Sequence, residues 1–106
     1  MKRNCIYLSQ RERATVAAIL EPLRNRIGSV KVFGSRAAGR ARPASDLDLV
    51  VFPPASRRQL IDLRCAFDES DLPITVDVVA WDEIDHQRLR DEITRNAIPF
   101  FDEPNP

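Results

Sequence analysis

No apolar run in the chain approaches the ~20 residues of a membrane span, and the start, Met1 to Ile6, lacks the apolar middle of a signal peptide. The expectation is a cytoplasmic protein. Cysteine is scarce. Cys5 and Cys65 stand at no motif spacing and read as reduced thiols rather than a disulfide frame or a zinc site. Charge of one sign is missing too: 16 basic residues balance 16 acidic ones. A binder of long nucleic acid usually carries a basic surplus, so that function class is disfavoured. The basic charge is almost all arginine, with lysine only at Lys2 and Lys31. The single histidine, His86, sits in a polar stretch and reads as surface. There is no repeat, low-complexity tract or linker, and 106 residues suit one domain, residues 1–106, with one modest core.

Periodicity gives the elements. Ser9-Gln10-Arg11-Glu12 is a capping box. Val16, Leu20, Leu23 and Ile27 follow at helical spacing, with Pro22 predicting a kink or two short helices. Val30–Phe33 reads as a strand and Ser35–Ala38 as a short helix, with loop from Gly39 to Ala44. Asp46–Phe52 reads as a second strand, with Leu47, Leu49 and Val51 toward the core and Asp46, Asp48 and Val50 on the other face. Ser56 caps a helix to Glu69, with Leu60, Leu63 and Phe67 inward and Ile61 beside them. Ile74–Ala80 is a third strand, rich in β-branched residues. A last helix is expected over Asp82–Asn96, with Ile84, Leu89 and Ile93 inward. Pro99 ends it, and Phe100-Phe101 adds an edge strand or packs as a tail. The class is α/β (α+β).

The informative stretch runs from Gly34-Ser35 to Asp46-Leu47-Asp48. Two acids spaced by one residue at the start of a strand aim the same way. A Gly-Ser turn opening a helix offers backbone amides to phosphate. Magnesium wants hard oxygen ligands and usually arrives with substrate phosphates, and paired metals need carboxylates on one rigid surface. Asp77, between Val76 and Val78, is the third candidate, because an acid inside a buried-looking strand is costly unless paired or metal-bound. Arg36, Arg40 and Arg42 are placed to close over a triphosphate. Gly34, Ser35, Arg36 and Ser45 are therefore the candidate nucleotide-binding residues, and Asp46, Asp48 and Asp77 the candidate catalytic and metal residues. No residue reads a base by itself.

Gly34-Ser35, ten residues, then Asp46-Leu47-Asp48 followed by Leu49-Val50-Val51 resembles the signature of the polymerase-β-like nucleotidyltransferase superfamily. The small size is similar to its minimal members, in particular the MNT-type antitoxins encoded beside HEPN-domain ribonuclease toxins. The likeness covers roughly residues 10 to 100. It implies a small mixed sheet with helices on one face. It implies two magnesium ions on Asp46 and Asp48, Asp77 assisting deprotonation of the attacking hydroxyl, and Gly34-Ser35 on the β- and γ-phosphates of ATP. It also implies transfer of AMP to a tyrosine hydroxyl of a HEPN-type toxin, in a hetero-oligomer. The chain has no room for the further domains that grip primer or small substrate, so the acceptor is expected on another protein or a second copy. Three other functions stay open: transfer to a small molecule such as an aminoglycoside with a partner subunit, RNA tailing, which the neutral charge disfavours, and a non-catalytic antitoxin that works by binding. Phe100-Phe101 is a candidate partner contact.

Overall fold

A computed structural model describes residues 6–101, so Cys5 lies outside the described residues. Helix α1 (Gln10–Leu20) starts at the expected capping box. Ser9 Oγ accepts from the Glu12 amide and the Glu12 carboxylate accepts from the Ser9 amide, both at 3.0 Å. Pro22 ends it as predicted, in a 3-10 turn over Glu21–Leu23. Strand β1 (Val30–Phe33), helix α2 (Ser35–Ala38) and strand β2 (Leu47–Val51) follow. Helix α3 (Arg57–Asp68) begins at a second reciprocal box between Ser56 and Gln59. Strand β3 (Val76–Ala80), helix α4 (Gln87–Asn96) and a two-residue strand β4 (Ile98–Pro99) complete the order.

The sheet order is β3-β2-β1-β4. β1 runs antiparallel to β2 and β4, and β2 parallel to β3, with α3 as the crossover. The main core lies on one face. Leu47, Leu49, Val51, Val30, Val32 and Val78 pack there against Val16 and Leu20 of α1 and Leu60, Leu63 and Phe67 of α3.

Four expectations are corrected. Val50, expected on the face away from the core with Asp46 and Asp48, has no exposure. It packs with Phe33, Ile84 and Ile93, because α4 covers the second face of the sheet. Helices on one face only, implied by the resemblance, is therefore too simple. The helix expected from Asp82 to Asn96 is split: a 3-10 turn spans Trp81–Glu83 and α4 starts at Gln87. Ile84 turns extended to reach the second cluster, and Arg90 satisfies the carbonyls left behind, donating to Ile84 O (2.7 Å) and Trp81 O (3.0 Å). Phe100 is buried in the chain's own core, with Phe101 edge-on against it at 5.1 Å. As a partner contact Phe100 is unsuited, since its surface is already spent on the fold.

Replacing Leu49 by Ala should cost about 2–5 kcal/mol in urea unfolding, against about 1 kcal/mol for Ser56→Ala. The ordering tests whether the sheet core or the α3 cap holds more of the stability.

Candidate active site

The sheet ends at β1 in a glycine that cannot be replaced cheaply. Gly34 has φ 77° and ψ −154°, a region that essentially only glycine enters. A Cβ there would also overlap the Asp48 carboxylate. The cause is register: Phe33 pairs with Asp48, so the Gly34 backbone sits directly against that side chain. The turn hands the chain to α2, whose Ala37 and Ala38 amides bond back to Gly34 O. The Ser35 and Arg36 amides are left as its leading donors.

Asp48 pairs in register with Asp77 across the parallel β2–β3 ladder. Residues so paired share a face, and it is the face opposite Leu47 and Leu49. Asp46 lies one residue before β2 and is exposed. Asp77 is exposed as well, because β3 is an edge strand; its buried-looking valines do not enclose it, and the burial cost inferred from sequence does not arise. Asp48 is half-buried. Burial first, then the charges of Asp77, Asp46 and Glu92, push its carboxyl from an ordinary 3.8 up to about 6. The ion pairs among the described residues, Arg24–Glu21 and Arg58–Asp62, involve none of these acids. Thus the negative charge gathers at one end of the sheet with no ion-paired base to offset it.

Glu92 of α4 was not foreseen. It precedes the buried Ile93 and follows Leu89 by three residues, at the margin of the apolar stripe. That margin, once α4 is known to cover the second face, is the signal that could have found it.

Arg36 does not face a phosphate. It is 1% exposed. Its guanidinium donates to Ser45 O (3.1 and 2.8 Å), Pro43 O (3.0 Å) and Tyr7 O. The expectation of triphosphate contact is overturned for this residue, because its donor fork is turned inward onto loop carbonyls. Ser45 is likewise occupied: its Oγ accepts from the Arg42 amide at 2.8 Å, closing the turn before Asp46. Arg40 and Arg42 are exposed.

The sequence model described as Polymerase beta, Nucleotidyltransferase matches residues 15–105. The chain belongs to this nucleotidyltransferase family. A Haemophilus influenzae protein named as the protein adenylyltransferase MntA is 44% identical over 55 residues, which is 50% of this chain. That stretch is 48% of MntA, about half the length of that relative. A solved structure described as a minimal nucleotidyltransferase is 31% identical, with a TM-score of 0.57, covering 88% of this chain and 97% of that one. A crystal structure of a toxin–antitoxin with AMP-PNP shares the fold at a TM-score of 0.66 and 17% identity, over 86% of this chain and 73% of that one.

In this member of the family, the acids can be tested for fit to magnesium, the metal that phosphate substrates usually bring. Among the described residues no three acidic, His or Cys side chains stand close enough to enclose a metal unaided. Asp46 and Asp77 are instead exposed hard-oxygen donors beside the half-buried Asp48. That suits a cation held by one or two carboxylates that keeps its waters and shares phosphate oxygens.

The raised Asp48 pKa fixes the sign of a pH effect. The folded state binds this proton more tightly than the unfolded one, so the associated stability is full below about 4 and is lost as pH rises through about 6. Asp48→Asn, neutral throughout, should therefore raise the Tm at pH 7.5 in metal-free buffer, with the gain shrinking between pH 6 and 4. No gain at pH 7.5 would mean that the carboxylate is not strained by its neighbours. Arg36→Ala should cost about 3 kcal/mol or more in urea unfolding, since it leaves three carbonyls without their donor. If stability holds while nucleotide affinity falls, Arg36 is a phosphate ligand after all.

Proposed function

We propose that the whole chain, as one nucleotidyltransferase domain, transfers AMP from ATP to a hydroxyl of a partner protein, a tyrosine of a HEPN-type ribonuclease toxin, and acts in the cytoplasm as that toxin's antitoxin. The observation that carries the chemistry is the Asp48–Asp77 register pair lying against the Gly34 turn. Support for the protein acceptor comes from the 44% identity to a protein adenylyltransferase. The small described fold, in which no helix is long and apolar enough to cross a membrane, is compatible with a cytoplasmic setting.

Asp46, Asp48 and Asp77 would hold magnesium. When bound, magnesium neutralises phosphate charge and makes the acceptor hydroxyl more acidic. Asp77, exposed at the sheet edge, takes the hydroxyl proton as the oxygen attacks the α-phosphorus. The α-phosphorus bond to the bridging oxygen breaks and pyrophosphate departs. The Ser35 amide and hydroxyl, with Gly34 allowing close approach, hold the β- and γ-phosphates through that departure. Asp48, the most crowded acid, sits where added positive charge relieves the greatest repulsion, so ground-state strain and metal affinity are the same property. Positioning and electrostatics supply most of the rate.

The test uses the chain co-purified with the product of its neighbouring gene. α-labelled ATP and magnesium should place label on that partner and raise its mass by one AMP or more. Asp48→Asn or Asp77→Asn should cut labelling by about 10² or more, and EDTA should abolish it. Labelling by Asp48→Asn at the wild-type rate would sink the mechanism. Neutralisation of the partner by Asp48→Asn without labelling would instead favour stoichiometric binding.

A further inference from the structure

The first described residues alternate between inside and outside. Ile6 is buried in the main core and Leu8 packs against it, while Tyr7 between them is turned outward and 47% exposed. Tyr7 is the chain's single tyrosine. Among the described residues the other large exposed apolar side chain is Ile61. An aromatic ring is a large hydrophobic group to leave in water, and here the residues on both sides of it do the anchoring.

The ring is also held in place. The Tyr7 amide donates to Arg36 O at 3.0 Å, the Arg36 guanidinium donates to Tyr7 O, and the guanidinium carbon lies 5.5 Å from the ring centre. The same guanidinium bonds Ser45 O at 2.8 Å. With a C–N bond of about 1.3 Å between, the ring centre is within about 10 Å of the carbonyl that precedes Asp46. Tyr7 thus stands on the rim of the site, on the α2 side.

That side decides what its hydroxyl can reach. An attacking hydroxyl approaches the α-phosphorus in line with the departing pyrophosphate, from the opposite side. The proposed hold on pyrophosphate is at the Ser35 end of α2, and Tyr7 is bonded to α2 itself. In its own site Tyr7 therefore stands with the leaving group. A second copy has no such bar. In a two-fold encounter each copy offers the other the same surface, so a tyrosine on the rim of one site is delivered to the acids of the other. Charge favours the meeting. Tyr7 is flanked by the Arg36 guanidinium and by Arg13, which donates to Ile6 O at 3.3 Å, while Asp46, Asp48 and Asp77 join no ion pair among the described residues.

We propose that the protein adenylylates itself between copies, at Tyr7. This rests on the reading of the site as a transferase of AMP to tyrosine. The bond from Tyr7 Oη to the α-phosphorus forms, the α-phosphorus bond to the bridging oxygen breaks, pyrophosphate leaves, and the hydroxyl proton passes to Asp77 of the catalysing copy.

The test incubates the purified full chain alone with α-labelled ATP and magnesium. The chain should gain label and the mass of one AMP, located on Tyr7 by peptide fragmentation, at a rate per chain that rises with protein concentration. Tyr7→Phe, which keeps the ring beside Arg36, should lose the label yet still label the product of the neighbouring gene. Asp48→Asn and Tyr7→Phe, each unlabelled alone, should together yield label on the Asp48→Asn chain. A mixture that stays unlabelled, label confined to another residue, or a rate per chain independent of concentration would overturn the proposal. An unlabelled chain beside a normally labelled partner overturns it too and leaves the transferase reading standing. Label on neither overturns both.

Discussion

One buried guanidinium sets the geometry of the site. Arg36 lies on α2, directly after Gly34-Ser35, and its side chain grips the carbonyls of Pro43 and Ser45, the residue before Asp46. The ten residues between the Gly-Ser pair and the first acid are thereby folded back on themselves. Without that clasp, the spacing would be only a count along a loose loop. With it, the Gly34-Ser35 turn and the acid pair are held on one frame. The same guanidinium accepts no carboxylate partner; it is neutralised by carbonyl dipoles. That leaves the nearby acids uncompensated, and an uncompensated acid cluster is what a divalent cation requires.

The sheet supplies the second constraint. A parallel β2–β3 pair brings Asp48 and Asp77 side by side from positions 29 residues apart, and α3 makes the crossover that parallel pairing needs. The antiparallel β1–β2 pair brings Gly34 against Asp48. Asp77 and Gly34 thus reach Asp48 through two different strand pairings, so the site and the core stand or fall together. This is the physical reason why a core substitution such as Leu49→Ala would also disturb the carboxylates.

Much of this was legible beforehand because it depends on period and punctuation. The period of two around Asp46-Leu47-Asp48, the boxes at Ser9 and Ser56, and the break at Pro22 are local properties, and the structure keeps them. What local pattern could not give is which surface a helix later covers. Val50 looked open because the residues around it alternate, yet α4 closes over it. Asp77 looked enclosed because its neighbours are valines, yet β3 is at the edge. The split near Ile84 depends on Arg90 capping carbonyls nine and six residues back, a tertiary contact with no periodic trace.

Arg36 was misread for a different reason, and the reason generalises within this chain. An arginine in a Gly-Ser loop has two attractive destinations, a ligand phosphate or the loop's own carbonyls, and residue type does not choose between them. The choice follows from what the loop must do. The excursion over residues 34–46 returns to a fixed strand and leaves several carbonyls facing inward, and a long planar donor satisfies them together. Once Arg36 is so engaged, any cationic contact to phosphate from this loop falls to arginines farther along it. Arg40 and Arg42 are those arginines: both are exposed, and neither side chain joins an ion pair among the described residues.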